Sequence, residues 1–101
     1  MPTDVPFFLA GRQTTSTDPL DVLNPFDGSP VARTWLAGDA QFEAAADAAV
    51  AAAPVMRRLP AYERGAILAR ASRAIAERRD AIARQLAGEA GKPIRDALAE
   101  T

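Results

Sequence analysis

The sequence predicts short N-terminal β-strands followed by two or three α-helices, with helix as the dominant class. Two observations carry this prediction. The first 38 residues hold five of the eight prolines and three of the six glycines, which nearly excludes helix there. After Gly38, apolar residues recur at helical spacing, and the stretch between Ala66 and Ala87 contains neither glycine nor proline. We therefore expect strands and turns in residues 1–38 and helices in residues 39–101.

Three extended runs are expected in the first part, namely Phe7–Leu9, Leu20–Leu23 and Val31–Trp35. Ala10-Gly11-Arg12 predicts a tight turn after the first run. Asn24-Pro25-Phe26-Asp27-Gly28 predicts a turn that joins the other two runs as arms, because proline presets φ and Asp-Gly favours a turn. Three short strands with so little apolar surface would be weak on their own.

Asp39 is a good N-cap for a first helix. Pro54 is expected to stop that helix. Its apolar stripe is mostly alanine, so the face is flat and lets another backbone approach closely; it comprises Phe42, Ala45, Ala46, Ala49, Val50 and Ala53.

A second, long helix is predicted to start at Pro60-Ala61, where a first-turn proline costs nothing. A gap in its stripe at Arg78-Arg79 predicts a break, after which Asp80 could cap a fresh start. Pro93 then opens a third helix, Ile94 to Thr101. The stripe of the long helix comprises Ile67, Leu68, Ala71, Ala74, Ile75, Ile82 and Leu86.

Gly88-Glu89-Ala90-Gly91-Lys92-Pro93 superficially resembles a phosphate-binding loop. That loop requires four residues between its glycines and a hydroxyl after the lysine, whereas two residues and Pro93 stand here. Helix termination is the better interpretation, with Gly91 left-handed and Lys92 near the negative end of the helix. No Gly-x-Gly-x-x-Gly dinucleotide fingerprint occurs.

Composition limits the chemistry of these 101 residues. The chain has no cysteine and no histidine, which excludes a thiol nucleophile, disulfides and imidazole bases on it. Its mass of 10.7 kDa allows one small domain in which about two-thirds of the unfolded surface could be buried. We find no membrane span and no secretory signal, and eleven arginines against one lysine are typical of a GC-rich genome. A bacterial, cytoplasmic protein is expected.

Although the net charge is only −1, residues 57–84 form a basic block with eight arginines and three acids. Such a block can indicate a nucleic-acid surface. However, Arg70, Arg73, Glu77 and Arg84 recur on one helical face with acids mixed in and no aromatic residue between the arginines. A solvated helix face is therefore the favoured interpretation.

Other candidate side chains suggest structure rather than chemistry. Glu43 and Asp47 are exposed acids one helical turn apart, and Trp35 and Tyr62 are lone aromatics expected to pack. The hydroxyl run Thr14-Thr15-Ser16-Thr17 lacks a base and is expected to form a loop. We assign no catalytic, cofactor-binding or metal-binding residue to this chain.

Several motifs in order resemble the N-terminal region of the aldehyde dehydrogenase superfamily, from about Phe7 to Thr101. They are Phe8-Leu9-Ala10-Gly11-Arg12, Asn24-Pro25-Phe26-Asp27-Gly28, Trp35 to Asp39, the alanine-periodic helix, Arg64-Gly65-Ala66-Ile67-Leu68 and Glu89-Ala90-Gly91-Lys92-Pro93. The first has alanine where that family commonly has asparagine. The segment Met56–Arg64 is most similar to members that act on lactaldehyde, phosphonoacetaldehyde or glyceraldehyde 3-phosphate.

The resemblance implies an α/β parent fold of several hundred residues that oxidises an aldehyde to a carboxylic acid with NAD or NADP through a cysteine thiohemiacetal. In that family the cysteine, the glutamate that activates water and the oxyanion asparagine lie beyond residue 101, and Asn24 is not that asparagine. Some members bind a monovalent cation with an acid near the position of Glu100. The implied role of residues 1–101 is inactive scaffold, with the remainder of the parent chain as partner and a homo-oligomer at full length.

Two other functions stay open at this point. The Ile67–Leu86 stripe could make the chain a stand-alone helical interaction module. The arginine block could bind nucleic acid, although we expect neither nucleic acid nor membrane as a partner.

Overall fold

The computed structural model describes residues 2–101, so Met1, the first residue of the predicted strand segment, lies outside the described part. Within that part, five short strands precede four helices. The strands are β1 (Thr3–Asp4), β2 (Phe7–Leu9), β3 (Arg12–Thr14), β4 (Pro19–Leu23) and β5 (Pro30–Trp35). The helices are α1 (Asp39–Arg58), α2 (Ala61–Glu77), α3 (Arg79–Ala90) and α4 (Ile94–Glu100). The predicted fold class, short strands followed mainly by helix, is confirmed.

The chain divides into two units. The first comprises the residues up to Val22 together with Pro30–Leu59, and the second comprises Leu23–Ser29 together with Pro60–Thr101.

The first unit contains the paired strands. β1 lies parallel to β5, with Thr3 opposite Ala32 and Asp4 opposite Arg33, and β5 also pairs with β4. β2 and β3 form a separate antiparallel hairpin in which Phe8 faces Gln13. Ala32 in β5 is the buried residue of this unit among those the structure describes.

The turn between β2 and β3 has the tight form that the sequence predicts. Ala10 has φ 50° and Gly11 has φ 78°, so both central residues are left-handed. Two-residue hairpins favour this arrangement because its twist matches that of the flanking strands. Glycine adopts it freely, whereas the Cβ of Ala10 makes it unfavourable.

α1 begins one residue earlier than the N-cap prediction requires. Gly38 is the N-cap and Asp39 lies in the first turn, where its charge still favours the positive end of the helix. Gly38 N–H donates to Gln41 Oε1 at 2.8 Å, and Gln41 Nε2 donates to the carbonyl of Thr15 at 3.1 Å. The amide of Gln41 therefore ties the start of α1 to the loop after β3.

The expectation that Pro54 stops α1 is wrong, because the helix runs through it to Arg58. A proline inside a helix removes the hydrogen bond to the carbonyl four residues earlier, which is that of Val50. Val50 is 74% exposed, so solvent can satisfy that carbonyl. An exposed helix can therefore continue past a proline at a free-energy cost that a buried helix would not tolerate.

The apolar stripe of α1 is exposed. Phe42 is 68% exposed, and α1 has no buried residue. The less exposed positions of α1 are Gln41 and Ala48, on another face of the helix. α1 contacts β2, but its predicted apolar stripe stays exposed within this unit.

In the second unit, the long predicted helix breaks where its stripe has a gap. Arg78 leaves helical geometry at φ −106° and ψ 11°, and its N–H donates to Ile75 O at 3.1 Å. The break separates α2 from α3, which raises the helix count from the expected two or three to four. α3 and α4 pack closely and bury Ala83 and Ala97 completely.

Much of the chain's surface is unburied. α2 has no buried residue, and Leu68 on its stripe is 71% exposed. The chain exposes 7768 Å², whereas two separate compact units of half this mass would together expose about 6,600 Å². The expectation that two-thirds of the surface could be buried is therefore wrong for this chain, which buries about half of roughly 15,500 Å². α3 and α4 pack against each other, whereas the apolar stripes of α1 and α2 stay open.

Candidate functional site

The Asn24–Gly28 turn and the Gly88–Pro93 segment, both sequence motifs, come together in the second unit. We call this contact the turn–cap junction. Gly91 is the C-cap of α3 with φ 67° and ψ 21°, and its N–H donates to Ala87 O at 3.0 Å. A Cβ at Gly91 would lie 2.8 Å from Pro25 Cγ. Two reasons therefore favour glycine at this position: the backbone is left-handed, and the proline ring leaves no room for a Cβ.

The turn side of the junction is held by its own polar groups. Asn24 Oδ1 accepts from Phe26 N–H at 2.9 Å, and Gly28 N–H donates to Asn24 O at 2.8 Å. Asp27 Oδ1 accepts from the hydroxyl and the N–H of Ser29 at 2.6 and 2.9 Å. The Ser29 hydroxyl, and then its N–H, lower the pKa of Asp27 because both bonds favour the carboxylate. The turn is rigid and is fixed by short side chains that cap their own backbone.

Charged side chains fix the start and the end of α4. Lys92 Nζ donates to Glu100 Oε1, so Lys92 pairs with an acid at the far end of α4. Arg79 Nε and Nη2 both donate to Leu98 O, at 3.1 and 2.6 Å. The carbonyls in the last turn of a helix have no helical N–H partner, and the Arg79 side chain donates to one of these carbonyls, that of Leu98. The predicted position of Lys92 just beyond α3 is confirmed.

The Gly88–Pro93 segment does not have the geometry of a phosphate-binding loop. A phosphate loop presents free N–H groups at the start of a helix that follows a strand. The Gly88–Pro93 segment instead spans the C-terminal end of α3, where the negative end of the helix dipole repels phosphate. The Gly91 N–H is bonded within α3, and Lys92 is paired with Glu100.

Glu100 lies near the position where the family resemblance implies an acid that binds a monovalent cation. Its carboxylate is neutralised by Lys92. Among residues 2–101, no group of three or more Asp, Glu, His or Cys side chains could hold a metal ion.

In the first unit, a bidentate ion pair between Arg33 and Asp21 joins β5 to β4. Arg33 Nε lies 2.6 Å from Asp21 Oδ1, and Arg33 Nη2 lies 3.2 Å from Asp21 Oδ2. The hydrogen bond from Arg33 lowers the pKa of Asp21. Both side chains are about half exposed, so solvent screens the pair and its contribution to stability is small.

The remaining candidates are structural or exposed. The predicted hydroxyl loop is partly wrong, because Thr14 lies in β3 and pairs with Phe7. Ser16 Oγ in the remaining loop donates to Leu36 O at 2.6 Å, just beyond the end of β5. Glu43 and Asp47 are exposed on α1, as the sequence predicts. Trp35 is partly buried, whereas Tyr62 is 76% exposed and does not pack as expected. Tyr62 is exposed because the second unit places nothing over the start of α2.

Sequence reasoning missed most of the side-chain contacts, and three of them show why. The Gln41 cap has a recognisable signal, since Gln three residues after the N-cap is part of a capping box. The bond from Arg79 to Leu98 and the contact of Pro25 with Gly91 have no local signal, because each joins distant segments.

No helix within residues 2–101 is long and apolar enough to cross a membrane.

Comparison with known proteins identifies the family to which this architecture belongs. The model of the aldehyde dehydrogenase family matches residues 12–101. The chain is 38% identical over 77 residues to N-succinylglutamate 5-semialdehyde dehydrogenase of Chromobacterium violaceum, a match covering 76% of this chain and 16% of that enzyme. It is 37% identical over 81 residues to the NADP(+) succinate-semialdehyde dehydrogenase of Escherichia coli, covering 80% and 17% respectively.

A solved structure gives the same result. Aldehyde dehydrogenase 21 of Physcomitrella patens, crystallised with its reaction product succinate, matches with a TM-score of 0.94 and 38% identity over 99% of this chain and 21% of that chain. The chain thus spans about a sixth of the length of the two curated relatives. Because the family model matches nearly all of its residues, the chain belongs to the aldehyde dehydrogenase family and corresponds to the N-terminal region of such enzymes.

Proposed function

We propose that this chain is the N-terminal scaffold of an NAD(P)-dependent dehydrogenase that oxidises an aldehyde to a carboxylic acid. The observation that carries the proposal is the family match over residues 12–101 together with the absence of cysteine from the sequence. A family member that forms a cysteine thiohemiacetal needs a thiol, and these residues cannot supply one. The chain alone is therefore inactive.

The exposed apolar faces support a scaffold role. The stripe of α1 carries Phe42 and Val50, and that of α2 carries Ile67, Leu68 and Ile75, all more than one-third exposed. Uncovered apolar surface of this extent is unfavourable in water and marks a face that another surface covers. We propose that the remainder of the parent chain covers both stripes, and that the full-length protein is a homo-oligomer.

NAD or NADP is the proposed cofactor of the parent, held by residues outside this chain. The cofactor would supply the hydride acceptor for the oxidation. The described residues are proposed to support that site rather than to contact the cofactor, since the Gly91 N–H and the Lys92 side chain are already bonded.

A small aldehyde is the proposed substrate. The Met56–Arg64 segment favours lactaldehyde, phosphonoacetaldehyde or glyceraldehyde 3-phosphate. The relatives in Chromobacterium violaceum and Escherichia coli are named for carboxylate-bearing semialdehydes, and aldehyde dehydrogenase 21 was crystallised with succinate. The two sets share a short chain that often carries an anionic group, so both belong in one substrate panel.

The test compares two polypeptides, the 101-residue chain and the longer product of the same gene. Each is assayed for NADH or NADPH formation with lactaldehyde, phosphonoacetaldehyde, glyceraldehyde 3-phosphate and succinate semialdehyde. We expect turnover from the longer product alone. Turnover by the 101-residue chain would overturn the scaffold role, and an inactive longer product would overturn the dehydrogenase assignment.

The stand-alone interaction module remains the second candidate, because α2 presents an unbroken exposed stripe. A 101-residue chain that stays monodisperse and binds no hydrophobic dye would favour it over the scaffold. A cytoplasmic, bacterial protein without nucleic-acid partners stays a prediction. Steeply salt-dependent binding of the chain to nucleic acid at low ionic strength would contradict the last point.

A further inference from the structure

We draw no further inference here: the strongest candidate, the apolar groove that Ile75, Ile82 and Leu86 line between α2 and α3, carries none, because its rim acids Glu89 and Glu100 are already bonded to Gln85 and Lys92 and nothing in the structure shows what covers it.

Discussion

Gly91 shows how much one residue can decide in this chain. Its left-handed backbone ends α3, and its missing Cβ leaves room for Pro25. The sequence predicts the first of these functions but not the second. Two motifs that seem independent along the chain are thus one contact in space.

Replacing Gly91 with alanine should therefore destabilise the chain by about 1–2 kcal/mol, since the Cβ disfavours the left-handed backbone and collides with the proline ring. The measurement is the urea midpoint, followed by far-ultraviolet circular dichroism. Gly65→Ala is the matched control, because Gly65 lies inside α2 with open space around it. That change should stabilise by about 0.5–1 kcal/mol. Equal effects of the two substitutions would contradict the junction.

Ala10 differs from Gly91, because it carries a Cβ at a left-handed position where glycine would be favoured. Ala10→Asn creates Asn-Gly at a turn whose two central residues both have positive φ. We expect a gain of about 0.5–1 kcal/mol in the free energy of unfolding, because asparagine adopts this backbone more readily than alanine. Ala10→Val should lower the urea midpoint instead. A midpoint unchanged by both substitutions would show that the turn is not fixed in this form.

Asp27 makes the turn sensitive to acid. Its pKa is lowered from the usual 3.8, so the unfolded chain binds more protons than the folded chain below that pH. The contribution of Asp27 to stability is therefore present above pH 3.8 and is lost as the pH falls through the folded pKa.

Ser29→Ala should raise the pKa of Asp27 towards 3.8, since it removes the hydroxyl bond that lowers it most. Carboxyl chemical shifts measured against pH by NMR give the value directly. The pKa of Asp21, which Arg33 lowers, serves as the internal control and should not change. An Asp27 titration that does not move would mean that the Ser29 hydroxyl bond is not formed.

At the scale of single elements, α1 contains the clearest conflict between propensity and observed structure. A proline in a helix interior is about 3 kcal/mol less favourable than alanine. α1 nevertheless continues past Pro54, because alanine dominates the flanking turns and the freed carbonyl lies on an exposed helix.

Pro54→Ala should thus raise the free energy of unfolding by about 1–3 kcal/mol, because it restores an N–H donor to Val50 O. Helix content and the urea midpoint, both from circular dichroism, measure the effect. Pro60→Ala is the matched control. Pro60 is the N-cap of α2, where a missing N–H leaves no helical carbonyl unpaired, so the change should be small. A large gain in helix content in Pro54→Ala would show instead that α1 stops at residue 54, because the substitution would then add a further turn of helix.

At the scale of the whole molecule, the lack of a core is the main finding. Ala32, Ala83 and Ala97 are the buried apolar residues in the described part of the chain, and all three are small. Burying an alanine removes little apolar surface from water, so these residues contribute little hydrophobic stabilisation. Most of the stabilisation of the folded chain must therefore come from contact with a surface outside these 101 residues.

The isolated 101-residue chain is therefore expected to associate as its concentration rises and to bind a hydrophobic dye. Sedimentation velocity across a concentration series measures the association. A Val50→Lys, Leu68→Lys double variant should associate less, because both side chains are more than two-thirds exposed on the two open stripes. Glu43→Lys, on the polar face of α1, controls for added charge. A monodisperse chain that binds no dye would contradict the scaffold role.

The sequence by itself determined most of the element boundaries within a residue or two, although it missed β1 and β3 and placed the end of α1 at Pro54 rather than Arg58. Proline, glycine and helical periodicity act over a few neighbouring residues, so the hairpin turn, the break at Arg78 and the cap at Gly91 could be predicted locally. The family could be recognised for the same reason, since its motifs are short and ordered. Pro54 was a local error, because solvent exposure decided whether a helix could tolerate it.

Only the tertiary structure decided which segments meet. Periodicity gives a helix an apolar face but does not say what that face will contact. It could not show that Pro25 packs against Gly91, that Arg79 caps α4, or that the stripe of α1 points away from its own sheet. These contacts join residues far apart in sequence, and they depend on the folded backbone bringing their atoms within reach.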